Sequence, residues 1–386
     1  MTFEVLATDG AARRGRLTTG HGVVDTPVFM PVGTRATVKS LAPDDLVASG
    51  ARIVLGNTYH LFLRPGHEVV RDLGGLHRFM GWDGVILTDS GGFQLWSLAK
   101  LRRITEDGVT FRSPVDGSSH FLSPELVIEV QQALGADIVH TLDECLAYPS
   151  THEETERSLG LTLRWARRGR DRHRATGAPA QALFGIVQGG AHADLRARAA
   201  DETVALDLDG YAIGGMAVGE PRTAMYELTR LVTERLPSAR PRYLMGVGKP
   251  GDLVEAVARG VDMFDCVLPT RNARNGQCFT WDGPVVIKHA RWTRDAEPLA
   301  RDCACYACRT FSRAYLRHLF VSDELLAYRL LSLHNVRFFL DLMAAMRAAI
   351  AAREFEAFRT RFFARYGVSS VDVSTDSTDE RERGEV

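Results

Sequence analysis

The chain has 386 residues, 45% of them hydrophobic and 25% charged, with a formal net charge of −1 at pH 7. This ordinary globular balance suits one large domain with an appendage, or two domains, and excludes a polycationic nucleic-acid coat while leaving room for a local basic groove. No segment approaches the ~18 uninterrupted apolar residues of a membrane span, and Met1 to Gly10 lacks the basic start and apolar core of a secretory leader, so a cytoplasmic protein is expected.

In chain order, strands are predicted at Arg52–Leu55, Val85–Thr88, Ile138–Leu142, Leu183–Val187, Tyr211–Ile213, Tyr243–Met245 and Val261–Phe264, with amphipathic helical segments between many of them. Helix starts are marked at Pro43-Asp44-Asp45, at Ser123-Pro124-Glu125 and at Pro250-Gly251-Asp252. Such alternation calls for a parallel sheet, and an open doubly wound sheet and a closed barrel both fit it. The polar residues decide between them. Run after run ends in a reactive or glycine-rich group: Asn57, Asp89, Asp143, Gln188, Gly214-Gly215, Gly246 and Asp265. In a (β/α)8 barrel all strand C-termini meet at one mouth, whereas an open sheet gathers its ligands mainly at one switch point. The expected fold is therefore α/β, a TIM-type barrel over residues 1–282.

After residue 282 the pattern changes. Cys303, Cys305, Cys308 and His334 offer three thiolates and one imidazole, a full tetrahedral zinc set with no position left for water or substrate. A structural Zn2+, one per subunit, in a C-terminal zinc-binding subdomain of residues 283–368 is the expectation. A helix from Ser312 to Phe320 and a long helical stretch over roughly 335–365 would complete it. Ser369 to Val386 is polar and acidic, the composition of a disordered tail. Cys145, Cys266 and Cys278 stand alone in apolar surroundings and read as reduced, buried thiols.

The acids carry the chemistry. Thr88-Asp89-Ser90-Gly91-Gly92-Phe93-Gln94 sets a carboxylate at a strand end before a flexible turn, and Leu142-Asp143-Glu144-Cys145 and Phe264-Asp265-Cys266 repeat the device. Any one of these acids also reads as a helix cap or half of an ion pair. Three at one mouth would repel one another, pushing some pKa values above ~3.9. That arrangement divides labour between a nucleophile and a general acid/base, as in retaining glycosidases. Gln188-Gly189-Gly190 and Gly214-Gly215 add amide and backbone donors with close backbone approach, a set that suits a flat, N–H-rich heterocycle such as guanine. Gly246-Val247-Gly248-Lys249-Pro250-Gly251 matches a dinucleotide fingerprint literally. It lies after many strands, however, and Pro250 occupies the turn where backbone N–H groups should face phosphate. Basic residues cluster at Arg164, Arg167, Arg168, Arg170, Arg172 and Arg174, a solvated helix end. They cluster again at Arg271 and Arg274, and at Arg301, Arg309, Arg313 and Arg317, beside the motifs.

With these residues in view, the chain resembles the bacterial tRNA-guanine transglycosylases. The resemblance is carried by Leu55-Gly56-Asn57-Thr58-Tyr59-His60-Leu61, Asp89 to Gln94, Asp143-Glu144-Cys145, Gly185 to Gly190, Gly214 to Glu220, Phe264 to Gly276 and the zinc set, from about Val23 to Asn335. It implies an irregular (β/α)8 barrel with a zinc subdomain. Asp265 is then the nucleophile toward C1′ of the wobble guanosine (position 34) in GUN-anticodon tRNAs, and Asp89 the general acid/base. Asp143, Gln188, Gly215 and Ser90 would hold the base, with Phe93 or Met216 stacked on it. Arg271, Arg274 and Lys249 would grip the anticodon loop. Cys145 and Val218 match a pocket for 7-aminomethyl-7-deazaguanine rather than queuine. The expected partners are the Asp, Asn, His and Tyr tRNAs and a second copy of the chain. A base in a folded loop must be extruded before a carboxylate reaches its sugar, and exchange of one N-glycoside for another needs no ATP. Two other readings fit parts of the sequence: a non-catalytic tRNA-binding subunit of the same family, which the three aspartates argue against, and a nicotinamide-dependent oxidoreductase using the glycine-rich turn.

Overall fold

The first strands of the chain, β1 (Thr2–Asp9), β2 (Ala12–Thr19) and β3 (Gly22–Thr26), pair antiparallel as a small sheet. After Pro27 the barrel begins with β4 (Val28–Gly33), β5 (Ile53–Gly56) and β6 (Val85–Thr88). An antiparallel insertion, β7 (Arg102–Thr105), β8 (Gly108–Arg112) and β9 (Ser119–Leu122), interrupts it before β10 (Ile138–His140), β11 (Ala182–Val187), β12 (Gly210–Ile213), β13 (Arg242–Leu244) and β14 (Met263–Cys266). The barrel strands close in the order β10-β11-β12-β13-β14-β4-β5-β6. Closure is by parallel pairing of β14 with β4, Phe264 opposite Phe29 and Asp265 opposite Met30. The computed structural model describes residues 1–97, 102–177 and 180–367, and the predicted acidic tail lies outside the described residues.

Alternation along each strand builds two apolar layers. Met30, Ile53, Leu55, Leu87, Phe184, Ile186 and Tyr243 fill the barrel, together with Leu17 and Val24 from the β1–β3 sheet. Their neighbours Phe29, Val54, Ile86, Leu183, Leu244 and Phe264 face outward onto helices. The small sheet closes the N-terminal end of the barrel: Arg13 on β2 pairs with the buried Asp262 that precedes β14, and His21 at the β2–β3 turn meets Asp137 ahead of β10. The opposite, C-terminal end is left open for a site.

The predicted strands appear within a residue or two of their places, and the barrel is closed as expected. The expected sequence elements omit β4. Pro31 and Gly33 interrupt its β pattern, yet every residue of Val28–Gly33 is buried. After β14 come the helix Leu268–Arg274, the hairpin β15 (Gln277–Thr280) and β16 (Gly283–Val286), and the cysteine run. The long helix spans Leu325–Ala352, starting well before the predicted Asn335 and placing His334 inside it. It ends at Arg353, in the left-handed conformation at φ 58°, and a separate helix Phe355–Tyr366 follows. The long helix lies against β4, β1 and β2, the position of a barrel's last outer helix.

Candidate active site and metal centre

Asp89 follows directly on β6. Its Oδ2 accepts from Asn57 Nδ2 at 2.5 Å and Gln94 Nε2 at 3.0 Å, and its Oδ1 accepts from the Thr58 N–H at 2.8 Å. The residue is 7% exposed. Burial, outweighing these hydrogen bonds, raises its pKa to about 6, close to neutrality, where a carboxyl group can both give and take a proton. The charge of Asp265 adds a smaller push in the same direction, so the two acids lie within electrostatic reach of one another.

Asp265 sits on β14 and is only partly covered. Tyr243 Oη donates to its Oδ1 at 2.5 Å and the Gly246 N–H donates to the same oxygen at 2.8 Å. Both of these donors hold Oδ1, so the tyrosine and the turn anchor one oxygen while Oδ2 takes neither bond. The glycine-rich turn therefore serves the aspartate: Gly246 donates to it, and a Cβ on Gly248 would lie 2.3 Å from Cys266 Cβ. Tyr243 was not among the residues singled out as functional. Its one signal was an aromatic residue inside a predicted barrel strand.

The third acid forms a pocket wall beside these two. Asp143 Oδ1 accepts from Ser90 Oγ at 2.6 Å and Oδ2 from Gln188 Nε2 at 2.7 Å. Burial raises its pKa as well, and that of Asp265. The upward direction expected from three clustered acids is thus present, but burial, rather than mutual repulsion, is the leading cause. Glycine is required at two places. A Cβ on Gly92 would stand 2.4 Å from Asp143 Oδ1, and Gly215 has φ 64° with its Cβ position 2.4 Å from Gln188 Oε1. Met216 is buried at 5% exposure, whereas Phe93 is 52% exposed beside Trp96. Glu220 closes the far side, accepting from the Ala217 and Val218 N–H groups at 2.6 and 3.0 Å.

Arg271 and Arg274 occupy the last turn of Leu268–Arg274, the helix that leaves β14 just beyond Asp265. Arg274 Nη1 donates to the Thr270 carbonyl at 3.1 Å. Lys249 caps the N-terminus of the helix Pro250–Val257, on the same turn as Gly246. The first arginine cluster lies on the helix His152–Thr176 and is largely neutralised: Arg164 pairs with Glu106, Arg168 with Glu125, Arg170 with Asp171 and Arg172 with Glu129.

Cys303, Cys305 and Cys308 converge on His334, with Sγ–Nδ1 separations of 3.6, 3.7 and 3.2 Å. Tetrahedral zinc with ordinary Zn–S and Zn–N bonds needs an S–N edge of about 3.5 Å, so the donor set fits the metal. His334 Nε2 lies 2.8 Å from the Phe279 carbonyl; a proton on Nε2 directed at that oxygen leaves Nδ1 as the ligand atom. The neighbouring Asn335 donates to the Pro269 and Gln277 carbonyls and accepts from the Phe279 N–H. The cysteine cluster is thereby tied to the helix that carries Arg271 and Arg274. A second grouping, His21, His77 and Asp137, is different in kind. Its imidazoles stack at 3.6 Å and 18°, so their in-plane lone pairs run side by side instead of meeting at an ion. It is a hydrogen-bonded clasp at the closed end of the barrel. Cys145 and Cys278 are buried as expected, while Cys266 is partly exposed.

The comparisons with known proteins agree in direction. A family model described as queuine tRNA-ribosyltransferase matches residues 9–368. The queuine tRNA-ribosyltransferase of Solidesulfovibrio magneticus is 59% identical over 365 residues, covering 95% of this chain and 98% of the relative. That of Thermoanaerobacter pseudethanolicus is 55% identical over 356 residues (92% and 94%). That of Acinetobacter baylyi is 53% identical over 368 residues (95% and 95%).

Proposed function

The chain belongs to the queuine tRNA-ribosyltransferase family, and from that premise we propose that it is a tRNA-guanine transglycosylase of queuosine biosynthesis working through a covalent ribosyl-aspartate. The observation that carries the mechanism is the contrast between two acids at one barrel mouth. Asp265 is anchored through Oδ1 alone by Tyr243 and the Gly246 N–H, whereas Asp89 is buried, hydrogen-bonded through both oxygens and raised to about 6.

The steps balance without cofactor. Asp265 Oδ2 bonds to C1′ of the extruded guanosine as the C1′–N9 bond breaks, and Asp89 delivers the proton the departing purine needs. The incoming base then loses its N9 proton to Asp89 and bonds to C1′, releasing Asp265. Asp143 faces the N–H edge of the base, Ser90 and Gln188 hold Asp143, and the Gly215 N–H and Gln188 amide face the base carbonyl. Met216, which is buried, or the exposed Phe93 stacks on the ring.

The finer identities form part of the same proposal. The target is guanine 34 of GUN-anticodon tRNAs for Asp, Asn, His and Tyr, gripped by Arg271, Arg274 and Lys249. The incoming base is 7-aminomethyl-7-deazaguanine, as the match of Cys145 and Val218 to the bacterial pocket implies. Residues 1–282 act as the catalytic barrel, and residues 283–368 as a unit stapled by one structural Zn2+ on Cys303, Cys305, Cys308 and His334. The working form is a cytoplasmic homodimer; among the described residues no helix is long and apolar enough to cross a membrane. Exposed Val321, Leu325 and Tyr306, at 52%, 82% and 46%, offer apolar surface for the second copy. The test is mass spectrometry of the cognate tRNAs after incubation with each candidate base. Replacement of guanine 34 by the 7-aminomethyl base supports the reading, and unmodified tRNA under all bases refutes it.

A further inference from the structure

Behind the base pocket lies a charge that the mechanism above does not use. Arg196, on the helix Ala193–Val204, has 0% exposure. Its Nη1 donates to the Val187 and Gly214 carbonyls at 3.0 and 2.7 Å, its Nη2 to Gly215 O at 3.0 Å and its Nε to Gly190 O at 2.8 Å. Among the described residues no carboxylate touches it. The acid that most affects it is Glu220, whose oxygens are taken by the Ala217 and Val218 N–H groups. Burial lowers its pKa only to about 10, so the guanidinium stays charged at neutral pH. The fold thus keeps a buried cation whose hydrogen bonds end on the last residue of β11 and on the loops after β11 and β12.

The direction of those bonds matters. In a trans peptide the C=O and N–H point opposite ways. Holding Gly214 O backward turns the Gly215 N–H forward into the pocket, and holding Gly215 O does the same for the Met216 N–H. Neither N–H donates to a protein acceptor among the described residues. A cation on the carbonyl side of a peptide also polarises it and strengthens the N–H as a donor. When C1′–N9 breaks, its electron pair passes to the purine and charge builds on the ring carbonyl, where preorganised donors act most strongly.

We propose that Arg196 is a positioning residue for the exchange: through the Gly214–Gly215 and Gly215–Met216 peptides, it stabilises the negative charge that develops on the departing purine. The inference rests on the pocket assignment made above and adds the origin of its donor strength.

The test compares base release in a single turnover from anticodon stem-loops carrying guanine or the better leaving group 8-azaguanine, using the wild type, Arg196→Met and Arg196→Lys, each checked for folding by circular dichroism. Guanine release by Arg196→Met should slow about 10- to 100-fold, the scale of losing one oxyanion donor or somewhat less, and 8-azaguanine release by less than about threefold, since its charge needs less help. Arg196→Lys retains the charge but cannot span four carbonyls, so it should fall between, with the same preference for the better leaving group. It carries the test if the methionine variant fails to fold. Equal slowing of both bases in a folded variant would make Arg196 a structural residue only and overturn the proposal. A wild type that releases neither base would instead bring down the transglycosylase reading itself.

Discussion

Replacing Asn57 by alanine isolates the proton-handling role of Asp89. Asn57 Nδ2 donates to Asp89 Oδ2 at 2.5 Å inside a site only 7% exposed. That bond stabilises the ionised carboxylate, so its loss must raise the pKa. A hydrogen bond to a charged group contributes about 1.5–3 kcal/mol, and one pKa unit is about 1.4 kcal/mol. The shift is therefore about one to two units, upward from about 6. The two half-reactions read it with opposite signs. Guanine release needs the proton on Asp89, so its rate falls as pH rises through that pKa. Uptake of the new base needs the proton gone, so its rate rises through the same region. The second inflection should sit slightly lower, because esterified Asp265 no longer carries the charge that helps hold Asp89 protonated. Rapid-quench measurements of each half-reaction from pH 5 to 9 would show both inflections moving up by about one to two units in Asn57→Ala. Inflections that stay in place, or move down, would refute the assignment of Asp89 as the proton carrier.

Other outcomes follow from the same geometry. Cys305→Ser or His334→Ala should lower the melting temperature by more than about 5 °C and weaken tRNA binding, because His334 and Asn335 tie the cluster to the helix bearing Arg271; a metal-free protein with unchanged melting and affinity would contradict this. Gly92→Ala, whose Cβ would meet Asp143 Oδ1 at 2.4 Å, should raise KM for the incoming base at least about 10-fold, a loss of about 1.4 kcal/mol, as measured by steady-state exchange. Arg164→Ala removes an exposed ion pair with Glu106 and should change stability by no more than about 1 kcal/mol, leaving tRNA affinity within twofold by filter binding.

How much was legible in sequence varied with the physics involved. Strands such as Val85–Thr88 announced themselves through continuous β-branched and apolar runs, and their polar ends marked the mouth because a parallel barrel brings all strand C-termini together. The Cys303, Cys305, Cys308 and His334 cluster was legible because the spacing and chemistry of a metal-binding set are both restrictive. Three things were hidden. β4 is disguised by Pro31 and Gly33, tolerated because its neighbours in the closed barrel supply the remaining contacts. The reason for the raised acid pKa values is burial, a property of the assembled mouth and not of the residues named. Arg196 looks like one more arginine on a polar helix, and only the tertiary fold shows it enclosed behind the base pocket.

The central claim is that Asp265 bonds to ribose. The direct measurement is to mix enzyme with cognate tRNA without added base, quench in acid, digest with nuclease and protease, and sequence the peptides by mass spectrometry. The account predicts a ribose-linked peptide with the adduct on Asp265, absent in Asp265→Asn. An adduct on another residue, or guanine exchange that persists in Asp265→Asn, would contradict it.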